Sequence, residues 1–359
     1  MLDSIENMKK LDPQGMYDKI FNFPEQLAEA AKIGSKIQID NKRFSDIRNI
    51  VVVGMGGSAI AGDIVRTYLA GCLDIPFFIC RHYCLPGFVN KDTLVVISSY
   101  SGNTEETLSA FKEALNKNAK IVCFSTGGKV GQIAETNDLP MVPLPEGYPP
   151  RAALGYSFVP LLFLMAKLGF IDDISDDVSN LIAGLKEYRK LYAAEVASGN
   201  NLAKTIAAKI QDKIPIIYSG PELTDTVGTR WKGQICENAK CLAYNNQFAE
   251  FNHNELVGWN VIDSYKDKLI VICLRDSGDH IRIRERMEIV KDIISKYNVE
   301  VIEVSSQGTT ALLRMFSLIQ VGDFVSYYLA VLNMVDPTPV AVIDYLKDEL
   351  NNRGRFTTT

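Results

Sequence analysis

Short runs of consecutive apolar, largely β-branched residues recur along this chain, separated by helix-length amphipathic patterns. Asn49–Val53 (NIVVV), Phe77–Cys80 (FFIC), Thr93–Ile97 (TLVVI) and Lys120–Phe124 (KIVCF) are four of them, with Pro140–Leu144 a fifth. A strand apolar at every position must be covered on both faces, which an α/β protein achieves by packing helices on each side of a parallel sheet. Ala59–Leu69 and Glu105–Asn116 read as such helices. From Ala152 to about Ala197 helical patterns follow one another, broken near Gly169 and Ser175. A second series then begins: Pro215–Ser219 (PIIYS), a helix over Leu223–Asn238, Leu242–Tyr244, Leu269–Leu274 (LIVICL), a helix over Ile281–Lys296, and Val299–Val304. A long helix over Ala311–Leu332, a Pro-rich turn (Asp336-Pro337-Thr338-Pro339) and a helix over Val340–Asn351 complete the pattern, and Arg353–Thr359 reads as a disordered tail. The expected architecture is α/β: two doubly wound, flavodoxin-like parallel sheets, in residues 1–180 and 181–359, joined by a helical segment and closed by a C-terminal helix. The repeated order resembles an internal duplication without clear identity between the halves.

At 359 residues, 47% hydrophobic and 23% charged, the chain is long enough for two cores. Its formal net charge of −5 and the lack of a Lys/Arg cluster argue against a nucleic-acid partner. Any anionic ligand must then be held by local groups rather than by the overall field. The N-terminal stretch MLDSIENMKKLDPQGMYDK has no apolar signal region, and Phe158–Phe170 is too short to span a bilayer and carries Lys167. The expectation is a soluble cytoplasmic protein without a membrane partner. Seven cysteines (Cys72, Cys80, Cys84, Cys123, Cys236, Cys241 and Cys273) in apolar surroundings read as reduced, mostly buried small hydrophobes. Cys80-x3-Cys84 encloses His82, but no second ligand pair follows at zinc spacing, so no metal is expected.

Two glycine- and hydroxyl-rich turns carry the chemistry. Gly54-Met55-Gly56-Gly57-Ser58 lies between a strand and a helix, where close backbone approach and free helix amides suit an anion. A dinucleotide site would need a third glycine earlier than Gly62 and an acid after the second strand, where Arg81 stands. A tight strand-to-helix turn is the simpler alternative. In Ser98-Ser99-Tyr100-Ser101-Gly102-Asn103-Thr104, four hydroxyls precede a helix that opens with Glu105 and Glu106. Capping by Thr104 or Asn103 would use one side chain. Four hydroxyls around a glycine at a helix N-terminus point instead to a phosphate held without lysine.

GMGGS followed by SSYSGNTEET resembles the sugar isomerase domain family. Pro150-Arg151-Ala152-Ala153-Leu154-Gly155, Glu237-Asn238-Ala239-Lys240, Asn252-His253-Asn254-Glu255 and Asp336-Pro337…Leu346-Lys347 extend the likeness over nearly the whole chain, toward the bifunctional phosphoglucose/phosphomannose isomerases. The resemblance implies two sugar isomerase domains and cofactor-free, metal-free interconversion of glucose 6-phosphate, and mannose 6-phosphate, with fructose 6-phosphate through a cis-enediolate. It assigns Glu237 as base, Arg151 to the enediolate charge, His253 to ring opening and Lys347 to the ring oxygen. Gly56, Gly57, Ser58, Ser99, Ser101 and Thr104 would hold phosphate and sugar, and Thr338, or Val340 in its place, the C2 epimer. The histidine is implied to come from a partner subunit, hence a homodimer with a shared site. The alternatives are a phosphosugar-binding regulator, or an isomerase of an amino-sugar phosphate.

Overall fold

The apolar runs of the first half form one five-stranded parallel sheet in a computed structural model that describes residues 1–353. Its strands are β1 (Asn49–Val53), β2 (Phe77–Cys80), β3 (Thr93–Ser98), β4 (Lys120–Ser125) and β5 (Met141–Pro143), in the order 2-1-3-4-5. The second half repeats this with β6 (Ile214–Ser219), β7 (Tyr244–Gln247), β8 (Leu269–Arg275) and β9 (Val301–Ser305), in the order β7-β6-β8-β9. Position for position this is the same winding less the last strand. The duplication is therefore legible in topology where residue identity does not display it.

Helices α1 (Ile5–Leu11), α2 (Met16–Phe21) and α3 (Phe23–Ser35) precede the first sheet. It is covered by α4 (Gly56–Leu69), α5 (Glu105–Asn116), α6 (Gly128–Thr136) and α7 (Leu154–Lys167). The expected helical segment is α8 (Ser175–Tyr192) followed by α9 (Leu202–Ile210). Around the second sheet lie α10 (Asp225–Ala239), α11 (Ile281–Ser295) and α12 (Ala311–Leu332), and α13 (Ala341–Arg353) ends the described chain. The division at 180/181 falls inside α8, and one apolar core runs from Ile50 and Leu94 of the first sheet to Ile217 and Ile270 of the second. Arg353 is the last residue of α13, and the rest of the expected tail lies outside the described residues.

Helix α12 is the central pillar. Among the described residues it alone is long and apolar enough to cross a membrane, and 94% of its apolar window is buried inside the protein. The shorter stretch around Phe158, singled out from sequence, is the equally buried α7. Gly322 of α12 lies against Trp231 of α10, whose indole N–H donates to the Leu318 carbonyl at 2.8 Å. A Cβ at position 322 would fall 2.2 Å from that nitrogen. Asp323 follows, fully within the core, where it accepts from Arg230 at 2.7 Å and Gln234 at 3.0 Å. An ion pair this buried tolerates no loss of one partner, since the other charge would be left uncompensated at a cost of about 3–5 kcal/mol. It locks α10 in rotation about its own axis.

The cysteines depart from expectation. Only Cys80, Cys123 and Cys273 are buried, with burial pushing the thiols of Cys123 and Cys273 up to about 12. Cys72 and Cys84 are exposed and Cys236 and Cys241 half-buried, because they sit at element ends where an apolar sequence neighbourhood does not ensure cover.

Candidate active site

In parallel pairing Val53 of β1 stands beside Ile97 of β3, so the chain segments leaving these strands emerge side by side. Here the winding reverses direction, and such a switch point opens a crevice at the carboxyl ends of the strands. The glycine turn lines one wall. Gly57 is required by contact: a Cβ there would lie 2.4 Å from the Pro150 carbonyl oxygen. Its absence lets the turn Pro150–Ala152 rest on the first turn of α4 and delivers Arg151 to the crevice.

The hydroxyl loop forms the other wall. Gly102 holds a φ of +68°, and a Cβ there would collide with the Gly127 carbonyl. Ser99 donates to Thr104 Oγ1 at 3.2 Å, and the Tyr100 N–H donates to Ser58 Oγ at 3.2 Å, which ties the two loops together. Ser101 is exposed, its Oγ accepting from the Asn103 N–H at 3.3 Å. Thr104 occupies the N-cap position of α5 but makes no side-chain capping bond, and α4 has none either. Capping is thus not what the hydroxyls do. The N-termini of both helices, with their positive dipole ends, carry no side-chain cap.

Across the crevice, α10 of the second unit closes a cavity of about 200 Å3 whose walls include Gly56, Gly57, Arg81, Arg151, Lys232 and Glu237. Arg151 is 4% exposed and almost fully committed. Its Nε donates to Asn238 Oδ1 at 2.6 Å, and its Nη2 donates to the carbonyls of Pro337 and Thr338 at 2.6 and 2.8 Å. The Nη1 edge faces Glu237 Oε2 at 3.4 Å. Burial draws the guanidinium pKa down while Glu237 draws it up, and the group stays a cation. Asn238 is oriented in turn by donating to Ser326 Oγ at 2.9 Å. Lys240, in a left-handed conformation at the end of α10, donates to the carbonyls of Glu237 at 2.6 Å and Pro337 at 3.1 Å. Burial and the neighbouring Arg151 hold its ammonium pKa below the usual lysine range. The Thr338 hydroxyl is buried without a partner.

Gly56, Gly57, Arg151 and Glu237 therefore line one cavity, Ser58 joins the adjoining hydroxyl loop of Ser99, Ser101 and Thr104 through the Tyr100 amide, and Thr338 reaches Arg151 through its carbonyl. His253 and Lys347 do not join them within this chain. His253 ends the turn Glu250–His253 and is exposed, and Lys347 projects from α13, 4.0 Å from Asp344. Arg81 and Lys232 were missed from sequence. Arg81 occupies the place where a dinucleotide fold would keep an acid, a signal in plain view, and pairs with Asp63. Lys232 was not visible, because which face of α10 meets the first unit is decided between the two units.

A further correction concerns Asp276–His280, which reads as a surface turn. Asp276 and Asp279 are 5% and 3% exposed, since Ser306 and Arg314 bind the first and Gly220 lies against the second. His280 accepts from the Arg282 N–H as the cap of α11.

The SIS domain model matches residues 43–142, and the model for the bacterial phospho-glucose isomerase C-terminal SIS domain matches residues 199–350. A bifunctional phosphoglucose/phosphomannose isomerase of Caldicellulosiruptor bescii is 45% identical over 335 residues, 93% of this chain and 98% of the relative. The protein of that description from Aquifex aeolicus is 36% identical over 87% of this chain and 93% of its own length. The crystal structure of a glucose-6-phosphate isomerase like protein from Thermus thermophilus superposes with a TM-score of 0.62 at 18% identity, over 95% of this chain and 99% of that one, which is agreement in fold. With two sheets wound alike, both halves matched by family models, and 45% and 36% identity over most of the chain, the chain belongs to the bifunctional phosphoglucose/phosphomannose isomerase family.

Proposed function

We propose that the chain interconverts glucose 6-phosphate, and mannose 6-phosphate, with fructose 6-phosphate through a cis-enediolate. The observation carrying this reading is the Arg151–Glu237 pair, 3.4 Å apart, beside an uncapped hydroxyl-lined crevice. Phosphate sits against Ser99, Ser101, Thr104 and the amides of α4 and α5, and the sugar extends past Gly56 and Gly57 toward Glu237. The Glu237 carboxylate takes the proton from C2 of the open-chain aldose and returns it to C1, as a positioned general base does. Negative charge growing on the enediolate oxygens meets the Nη1 edge of Arg151, whose other donors are already spent, so it needs no reorganisation during the reaction. The unpartnered Thr338 hydroxyl is the group we assign to the C2 epimer.

Ring opening falls to His253 from a second copy of the chain, with Lys347 at the ring oxygen. Two observations support a homodimer. None of α13 is buried, although Val342, Tyr345 and Leu346 are 83%, 65% and 57% exposed, an apolar surface that calls for a partner. An apolar groove of about 590 Å3 beside Glu237, between Leu242, Val335 and Val340 and the start of α13 at Val342, continues that surface. The two sugar isomerase domains then divide near α8, and the substrate class points to the cytoplasm.

Purified protein assayed with fructose 6-phosphate, mannose 6-phosphate and glucosamine 6-phosphate tests the reading. Turnover of the first two supports it. Binding without turnover would make the chain a phosphosugar-responsive regulator, and turnover of the amino sugar alone would replace the substrate. Mixing His253→Ala with Glu237→Gln protein, after subunit exchange, is expected to restore part of the activity. No recovery would remove the shared site.

A further inference from the structure

The segment that carries His253 is short, irregular and exposed at its tip, yet it is tied down on both sides by a polar cluster with no role in the scheme above. Tyr218, at the buried end of β6, stacks its ring on Phe251 with centroids 4.0 Å apart and planes 9° apart. Its hydroxyl donates to Glu255 Oε1 and accepts from the Trp259 indole N–H at 3.3 Å. The other carboxylate oxygen of Glu255 accepts from Asn246 Nδ2, on β7, at 2.7 Å. Upstream, Arg286 of α11 donates to Asn252 Oδ1 at 3.3 Å. Asn252, immediately before His253, and Glu255, two residues after it, are thus fastened to the second sheet and its helix, and the histidine stands between two anchors.

We infer that Glu255 is a positioning residue: with Tyr218 and Asn246 it fixes the His253 turn so that the imidazole is presented in one orientation to the site of a second copy. Burial and the adjacent carboxylate push the Tyr218 hydroxyl well above the ordinary tyrosine range, so it keeps its proton to donate throughout the working pH range. A carboxylate is the side chain that accepts from both Tyr218 and Asn246 at once. A glutamine would offer one acceptor against two donors. The inference rests on the proposed role of His253, and small misplacements of a catalytic group cost rate far more than binding.

The test is a double-mutant cycle in the full-length protein with fructose 6-phosphate as substrate. Glu255→Gln is expected to lower kcat between about tenfold and a hundredfold while KM moves less than about twofold. Tyr218→Phe, which keeps the ring stack and removes the hydroxyl, should lower kcat in the same direction by about fivefold. In a His253→Ala background both substitutions should be silent to within about twofold, because the group they position is gone. A merely structural Glu255 would subtract its loss in both backgrounds, and that result overturns the proposal while leaving His253 in place. An unimpaired Glu255→Gln enzyme also overturns it. If His253→Ala itself turns over normally, the reading of His253 fails first and the positioning role with it.

Discussion

The crevice between β1 and β3 and the crevice between β6 and β8 occupy the same place in two sheets of the same winding, and each is faced by the helix that follows the first strand of the other unit. Helix α10 lies over the first and α4 over the second, touching where the Thr67 and Thr226 hydroxyls meet at 2.8 Å. Their chemistry is opposite. In the first crevice the leading amides of α4 and α5 have no side-chain cap, and the lining is hydroxyl and glycine. In the second, a space of about 540 Å3, the protein's own carboxylates have taken the amides. Asp279 accepts from the Asp276 N–H at 2.8 Å, Asp276 from the Gly278 N–H at 2.8 Å, and Asp225 from the Thr226 N–H at 2.5 Å. Arg314 and Arg66 pair with Asp276 and Asp225. The fold offers an anion-binding switch point twice, and the loop residues leave one open and fill the other.

Four substitutions sharpen or break that contrast. Glu237→Gln, in the helix that roofs the open crevice, should cut kcat by about a thousandfold or more while sugar phosphates still raise the melting temperature. A near-normal rate would remove Glu237 as the base. Gly57→Ala drives a Cβ into the Pro150 carbonyl and displaces Arg151, for which we expect kcat/KM to fall about a hundredfold. Thr104→Asp would turn the open crevice into a copy of the filled one, raising KM for fructose 6-phosphate by about thirtyfold with a smaller change in kcat. An unchanged KM would place the phosphate elsewhere.

The smallest effect belongs to the filled crevice. Burial lifts the Asp279 carboxyl from its ordinary 3.8 to about 6. The folded state therefore holds the proton more tightly than the unfolded chain. Nothing is lost below about pH 4, the cost grows as pH rises toward 6, and it is complete above that. Asp279→Asn should thus stabilise the protein by about 2 kcal/mol at pH 8 and hardly at all at pH 4, with activity at neutral pH unchanged. Equal melting shifts at both pH values would show that the carboxyl is not held protonated by its surroundings.

Much of this was legible before any coordinates. Doubly apolar runs such as NIVVV and TLVVI have no stable arrangement but a covered parallel sheet, and helices Glu105–Asn116 and Ala311–Leu332 begin and end where periodicity places them. The hydroxyl loop was equally readable, since its chemistry is local and contiguous. Boundaries were less so where the pattern is weak. The seventh strand is Tyr244–Gln247 and not Leu242–Tyr244, because YNNQ is polar and is held by pairing with β6 rather than by burial. The turns from Glu250 to Val261 carry no periodic signal at all, being fixed by Tyr218 and Asn246 from elsewhere.

What the sequence determined by itself is whatever depends on neighbours a few residues apart: strand and helix identity, the glycine turn, the run of hydroxyls and, by family likeness, the roles expected of Glu237 and Arg151. What only the tertiary structure decided is which of two equivalent crevices is open. Asp276-Ser277-Gly278-Asp279-His280 looks as solvated in the sequence as any polar turn. It becomes buried only because Ser306 and Arg314 bind Asp276 and Gly220 lies against Asp279, just as Arg151 becomes an oriented cation only because Asn238, Pro337 and Thr338, far away in the chain, surround it. Burial and hydrogen-bond competition are properties of the assembled surface, and they set whether a loop's amides are free to take a ligand.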